Sequence, residues 1–87
     1  MQADKKQIER LLKTARGQLD GILGMVADDR YCVDISNQIM AAQAVLSKAN
    51  KEIIRAHMKG CVKSAIESGG GEGKIDELVE LIDKVSK

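Results

Sequence analysis

The sequence predicts an all-α protein: two long antiparallel helices and one short C-terminal helix per subunit, assembled into bundles by oligomerisation. Three observations lead there. Apolar residues recur at helical spacing through two long segments, no segment shows strand alternation, and the glycine-rich stretch SGGGEG at residues 68–73 makes the clearest break in the chain. The 87 residues are read as a single domain, 1–87.

The first helix is read from Ile8, Leu11, Leu12, Ala15, Leu19, Ile22, Leu23 and Val26, whose steps of three and four residues mark one amphipathic face. Asp4 suits its N-cap, and Asp28 and Asp29 end the pattern. Gly17, Gly21 and Gly24 lie inside it, each costing about 1 kcal/mol relative to Ala, so a closely packed neighbouring backbone is the expected compensation. The second helix follows from Ile35, Ile39, Ala42, Leu46, Ala49, Ile53, Ala56 and Gly60, whose alternating steps match a heptad seam. It is expected over about residues 32–67, roughly 50 Å, too long to bury itself in a chain of this size. Glycine at 69–71 supplies the stop, and Ile75, Leu78, Val79, Ile82 and Val85 define the short third helix.

Composition narrows the function classes. There is no Phe, Trp or Pro and only one Tyr, so the core is aliphatic and favours helices packed against copies of themselves. A formal net charge of +1 excludes a globally basic nucleic-acid binder but leaves room for a local basic face. No transmembrane run or signal-peptide core is read, and a cytosolic protein is expected. Two Cys in that compartment point to metal or redox chemistry before a structural disulfide. A thiol enzyme is disfavoured: a Cys–His pair permits nucleophilic chemistry, but no oxyanion hole, substrate pocket or Gly-rich elbow accompanies it. A metal carrier without nucleic-acid binding is a further class, which DNA binding by the metal-free protein would separate from a DNA-binding sensor.

The segment HMKGC holds the only His of the chain, His57, four residues before Cys61. Residues four apart on a helix share a face, so both can hold one metal ion. The other thiol, Cys32, lies about 44 Å away along a straight helix, out of reach within one subunit. In an antiparallel pair of identical helices it comes beside the partner's His57 and Cys61, and a twofold dimer holds two such sites. Two thiolates and one imidazole suit copper(I) best, then zinc and nickel. On spacing alone the pair fits a packed hydrophobe and a surface histidine equally well. Basic residues also recur on helix faces: Lys6, Arg10 and Lys13, then Lys48, Lys51, Arg55 and Lys59. They read as a solvated face or as a DNA-binding patch multiplied by oligomerisation.

RYCVDISNQI followed 25 residues after its Cys by HMKGC, with RLLKTARGQLDGI before and IDELVELI after, resembles the copper-sensing operon repressor (CsoR) family over nearly the whole chain. The resemblance implies an all-helical dimer with a four-helix core, paired into a dimer-of-dimers tetramer. It implies a Cys–His–Cys copper(I) site of Cys32, His57 and Cys61. Tyr31 and Glu77 match a Tyr before the first Cys and a Glu twenty residues after the His, as partners that orient the imidazole through the ring nitrogen the metal leaves free. It further implies operator DNA as a partner, bound by basic residues of the first two helices. Arg10, Lys13, Arg16, Lys48 and Lys51 are the candidates here. Where the family often reads N-R-L-K in helix 1, the aligned residue is Leu11 and the nearest Arg is Arg10. Nickel and cobalt sensors of the family bring extra His ligands and formaldehyde sensors lack the second Cys. Persulfide sensors use the same two Cys, commonly without the His, so Cys32 and Cys61 also support a reactive-sulfur alternative.

Overall fold

The computed structural model describes residues 1–68 and 72–86, with side chains omitted at 65, 68, 72–75, 85 and 86. Three helices follow in order: α1 (Lys5–Ala27), α2 (Cys32–Ser68) and α3 (Glu72–Ser86). Among the described residues there is no strand. Of the expected break, residues 69–71 lie outside the description, as do the side chains of Ile75 and Val85. The third helix starts earlier than the apolar pattern suggests, at Glu72, so Gly73 is inside it.

α1 is closed at both ends by local chemistry. Asp4 is extended and its carboxylate accepts from the amides of Lys6 at 3.0 Å and Gln7 at 3.4 Å. Those are donors that the first turn cannot pair internally. At the other end Asp29 adopts φ 50°, the left-handed region, and is the one non-Gly residue of positive φ among the described residues. The amide of Arg30 then donates to the carbonyl of Met25 at 3.0 Å, and that of Asp29 to Val26 at 3.1 Å. This pair of bonds is the Schellman stop, which occupies carbonyls the last turn leaves open. The chain reverses at once, and the carbonyl of Tyr31 accepts the first α2 bond from Ile35 at 3.2 Å.

α1 and α3 both pack on α2. The buried apolar side chains are Ile8, Ala15 and Ile22 on α1, Ala42, Ala49 and Cys61 on α2, and Leu78 on α3. The seven-residue steps on α1 face alanines seven apart on α2, and small residues on one side let the large ones on the other approach.

The rest of the expected seam is not covered within one chain. Leu12, Leu19, Leu23, Val26, Ile39 and Leu46 are all exposed, Leu23 by 67%. The reason is geometric. The molecule measures 57 × 26 × 12 Å, and the thinnest direction has room for only one layer of helices. Its radius of gyration is 17.4 Å, against roughly 12 Å for a compact chain of this length. Its accessible surface of 6602 Å² exceeds by roughly 1,600 Å² that of a compact monomer of equal mass. A single layer has no second face to bury its apolar stripe against. The backbone expected beside the glycines of α1 is not supplied by this chain's described residues. A Cβ built on Gly17, Gly21 or Gly24 would meet nothing within 4 Å, so no neighbouring backbone of the same chain packs there.

Candidate metal centre

The straight run of α2 stacks His57 over Cys61, and Sγ of Cys61 lies 3.3 Å from Nε2 of His57. Cys61 is buried, whereas the His57 side chain is 39% exposed. α3 closes the other side of the ring: Oε1 of Glu77 is also 3.3 Å from Nε2. Leu78, one residue along α3, is buried and anchors the helix that carries Glu77.

One nitrogen therefore meets two partners. With a proton on Nε2, the ring donates to the Glu77 carboxylate. Without it, Nε2 accepts from the Cys61 thiol and loses its bond to an ionised Glu77. The sequence reading gives the metal and Glu77 separate ring nitrogens. The structure differs in placing both Cys61 and Glu77 at Nε2, because the ring lies between α2 and α3. Nδ1 remains as the second possible donor to a metal.

Both cysteines are free thiols, Cys61 buried and Cys32 exposed. Cys32 opens α2 and Cys61 lies 29 residues on, so about 44 Å of helix separates them. Tyr31, 65% exposed, stands at the same far end and does not reach His57 of its own chain. Among the described residues no group of three or more His, Cys, Asp or Glu side chains in one chain is arranged to hold a metal ion. Cys61, His57 and Glu77 thus come together, and Cys32 and Tyr31 are left apart from them. Beside His57 is a cleft of about 570 Å³ lined also by Asn50, Ile53, Ile54, Glu77, Leu81 and Lys84, with Met1 and Gln2 at its edge. No local spacing marks the last two, since they meet His57 and Glu77 only once the helices pack.

Arg10, Lys13, Arg16, Lys48 and Lys51 are all exposed. Lys6, Arg10 and Lys13 share one depression on α1, with Glu9 and Thr14. Arg16 does not line that depression; it stands about 60° round the helix from Lys13 and about 120° from Arg10. On α2 Arg55 pairs with Glu52 at 3.1 Å, whereas Lys48, Lys51 and Lys59 of the same face form no ion pair among the described residues.

The profile of a family described as metal-sensitive transcriptional repressor matches residues 4–84. The chain is 44% identical over 84 residues to the copper-sensing transcriptional repressor CsoR of Bacillus subtilis, covering 97% of this chain and 83% of that one. The copper-sensing repressor CsoR with Cu(I) from Geobacillus thermodenitrificans superposes with a TM-score of 0.82 at 38% identity, covering 100% of this chain and 94% of that chain. The nickel-responsive transcriptional regulator InrS superposes with a TM-score of 0.85 at 26% identity, covering 98% and 96%.

Proposed function

This chain belongs to the family of metal-sensitive transcriptional repressors, and from that premise we propose that it is a cytosolic copper(I)-responsive repressor. Its metal-free form binds operator DNA, and copper(I) at an inter-subunit site lowers that affinity. The observation that carries the reading is the contact of His57 with Cys61, 3.3 Å apart on one face of α2, with no second cysteine of the same chain beside them among the described residues. A buried thiol and an imidazole form two-thirds of a three-ligand site, and the exposed Cys32 at the opposite end of α2 is the remaining thiol.

A partner subunit resolves both shortfalls. The flat single layer needs a second layer to cover Leu12, Leu19, Leu23 and Leu46, and antiparallel pairing of two α2 helices brings Cys32 of one subunit to His57 and Cys61 of the other. The excess surface of roughly 1,600 Å² per chain matches what obligate dimers bury. Pairing into a dimer of dimers then multiplies the basic side chains. The cleft beside His57 and Glu77 has the space and the apolar wall of Ile53, Ile54 and Leu81 for an aromatic ring such as the partner's Tyr31. No helix among the described residues is long and apolar enough to cross a membrane.

The donor set fits copper(I): two thiolates and one imidazole satisfy a soft ion that accepts three ligands, whereas structural zinc takes four. Glu77 holds the imidazole, and through it α3 is tied to the site. The copper-sensing function named for the Bacillus subtilis relative favours this over a reactive-sulfur sensor using Cys32 and Cys61. Titration of the reduced protein with copper(I), and separately with a persulfide donor, decides between them when operator release is followed by fluorescence anisotropy. Release by about one copper per subunit is expected; release by the persulfide donor alone would overturn the reading.

A further inference from the structure

Gly60 stands inside α2, one residue before Cys61, where Ala would favour the helix by about 1 kcal/mol. The structure gives the missing side chain a use. A Cβ built on Gly60 would lie 2.9 Å from Cδ, 3.0 Å from Oε1 and 3.3 Å from Cγ of Gln2. Gln2 is therefore seated on bare α2 backbone beside a candidate metal donor. Gly17, Gly21 and Gly24, by contrast, meet nothing. Met1 and Gln2 also edge the cleft that His57 and Glu77 line. Only Ala3 and Asp4 separate this contact from the start of α1 at Lys5, and Lys6, Arg10 and Lys13 follow in the next turns. One short segment thus joins the sensing end of α2 to the basic stripe of α1.

We propose that residues 1–3 form a strap, held by Gln2 on Gly60, that sets the position of α1 according to the state of the His57–Cys61 pair. The inference rests on the ligand-responsive repressor reading. A ligand shifts a conformational equilibrium only through contacts that differ between the two states. The seat of Gln2 is such a contact, because a change in the α2 backbone at Cys61 alters the surface on which Gln2 rests. Gln2 and Gly60 are positioning residues and donate nothing to the metal.

Two variants of the full chain test it. Gly60→Ala favours the helix, yet its methyl crowds the Gln2 side chain, whose flexible end must shift from its seat. Gln2→Ala removes the contact and leaves α2 untouched. In both, amide hydrogen exchange in the metal-free protein is expected to accelerate at residues 5–8 and stay unchanged across Ala42 and Ala49. The Tm of Gly60→Ala is expected to be no lower than that of the parent. Copper(I) affinity and metal-free operator affinity are expected to stay within about threefold, while the copper-induced fall in operator affinity shrinks about tenfold or more, a loss of coupling of about 1.4 kcal/mol. Unchanged exchange at residues 5–8 overturns the strap, and so does full copper-induced release in variants whose exchange is accelerated. A parent protein that ignores copper overturns the sensing role together with the reading beneath it, whereas altered release in a responsive parent isolates the strap.

Discussion

At the scale of single residues the account turns on what each side chain donates. Thiolates carry most of the affinity of a soft metal site, so Cys61→Ser is expected to weaken copper(I) binding by a hundredfold or more, measured by competition with a chromophoric chelator. His57→Ala is expected to keep much of that affinity and lose copper-induced operator release, because Glu77 on α3 contacts the site through the imidazole. Tight copper binding with intact release in that variant would contradict the coupling role. Asp29 offers a test of the fold alone. Its φ of 50° costs an L side chain about 1 kcal/mol that glycine avoids. Asp29→Gly is therefore expected to raise stability by about 0.5–1 kcal/mol in urea denaturation, and a loss would show that the carboxylate has a partner of its own. The stops at Asp4 and Asp28–Asp29 were legible in the sequence because capping is local. The seat of Gln2 on Gly60 was not: residues 58 positions apart meet only after α1 and α2 pair.

At the scale of elements, α2 is both the longest packing surface and the carrier of the soft donors, while its basic face turns toward solvent. Replacing Lys48 and Lys51 together with Glu is expected to abolish operator binding and leave copper(I) affinity within about twofold. Unchanged operator affinity in that double variant would show a merely solvated face. The parent's operator affinity is also expected to fall steeply between low and moderate salt, as phosphate contacts release counterions. Helical spacing revealed α1 and α2 because each buries one face with a seven-residue repeat, seen in Ile8, Ala15 and Ile22. The same spacing could not say which part of the stripe faces α1 and which faces another chain. Ala42 and Ala49 are covered within the subunit, whereas Ile39 and Leu46 are not. The glycines of α1 pose the same question, since a gap in side chains marks room for a neighbour without saying which molecule supplies it. Glu77 became a site residue through family resemblance; its place opposite His57 depends on how α3 packs on α2.

At the scale of the whole molecule, a slab 12 Å thick with exposed Leu19, Leu23 and Leu46 is half of a core. A dimer or tetramer is expected at micromolar concentration by analytical ultracentrifugation, and a stable monomer would remove the basis for a shared site. The central claim is that each site is completed across the subunit boundary, and subunit mixing tests it most directly. Cys32→Ser and Cys61→Ser chains each assemble without a complete site. Unfolded together and refolded at equal amounts, half of the dimers become mixed, and each mixed dimer regains one site, from Cys32 of one chain and His57 with Cys61 of the other. Titration with copper(I) against a competing chelator is expected to find no tight site in either variant alone and about one per four chains in the mixture. Tight binding by either variant alone, or none in a mixture shown to contain mixed dimers, would contradict the shared site.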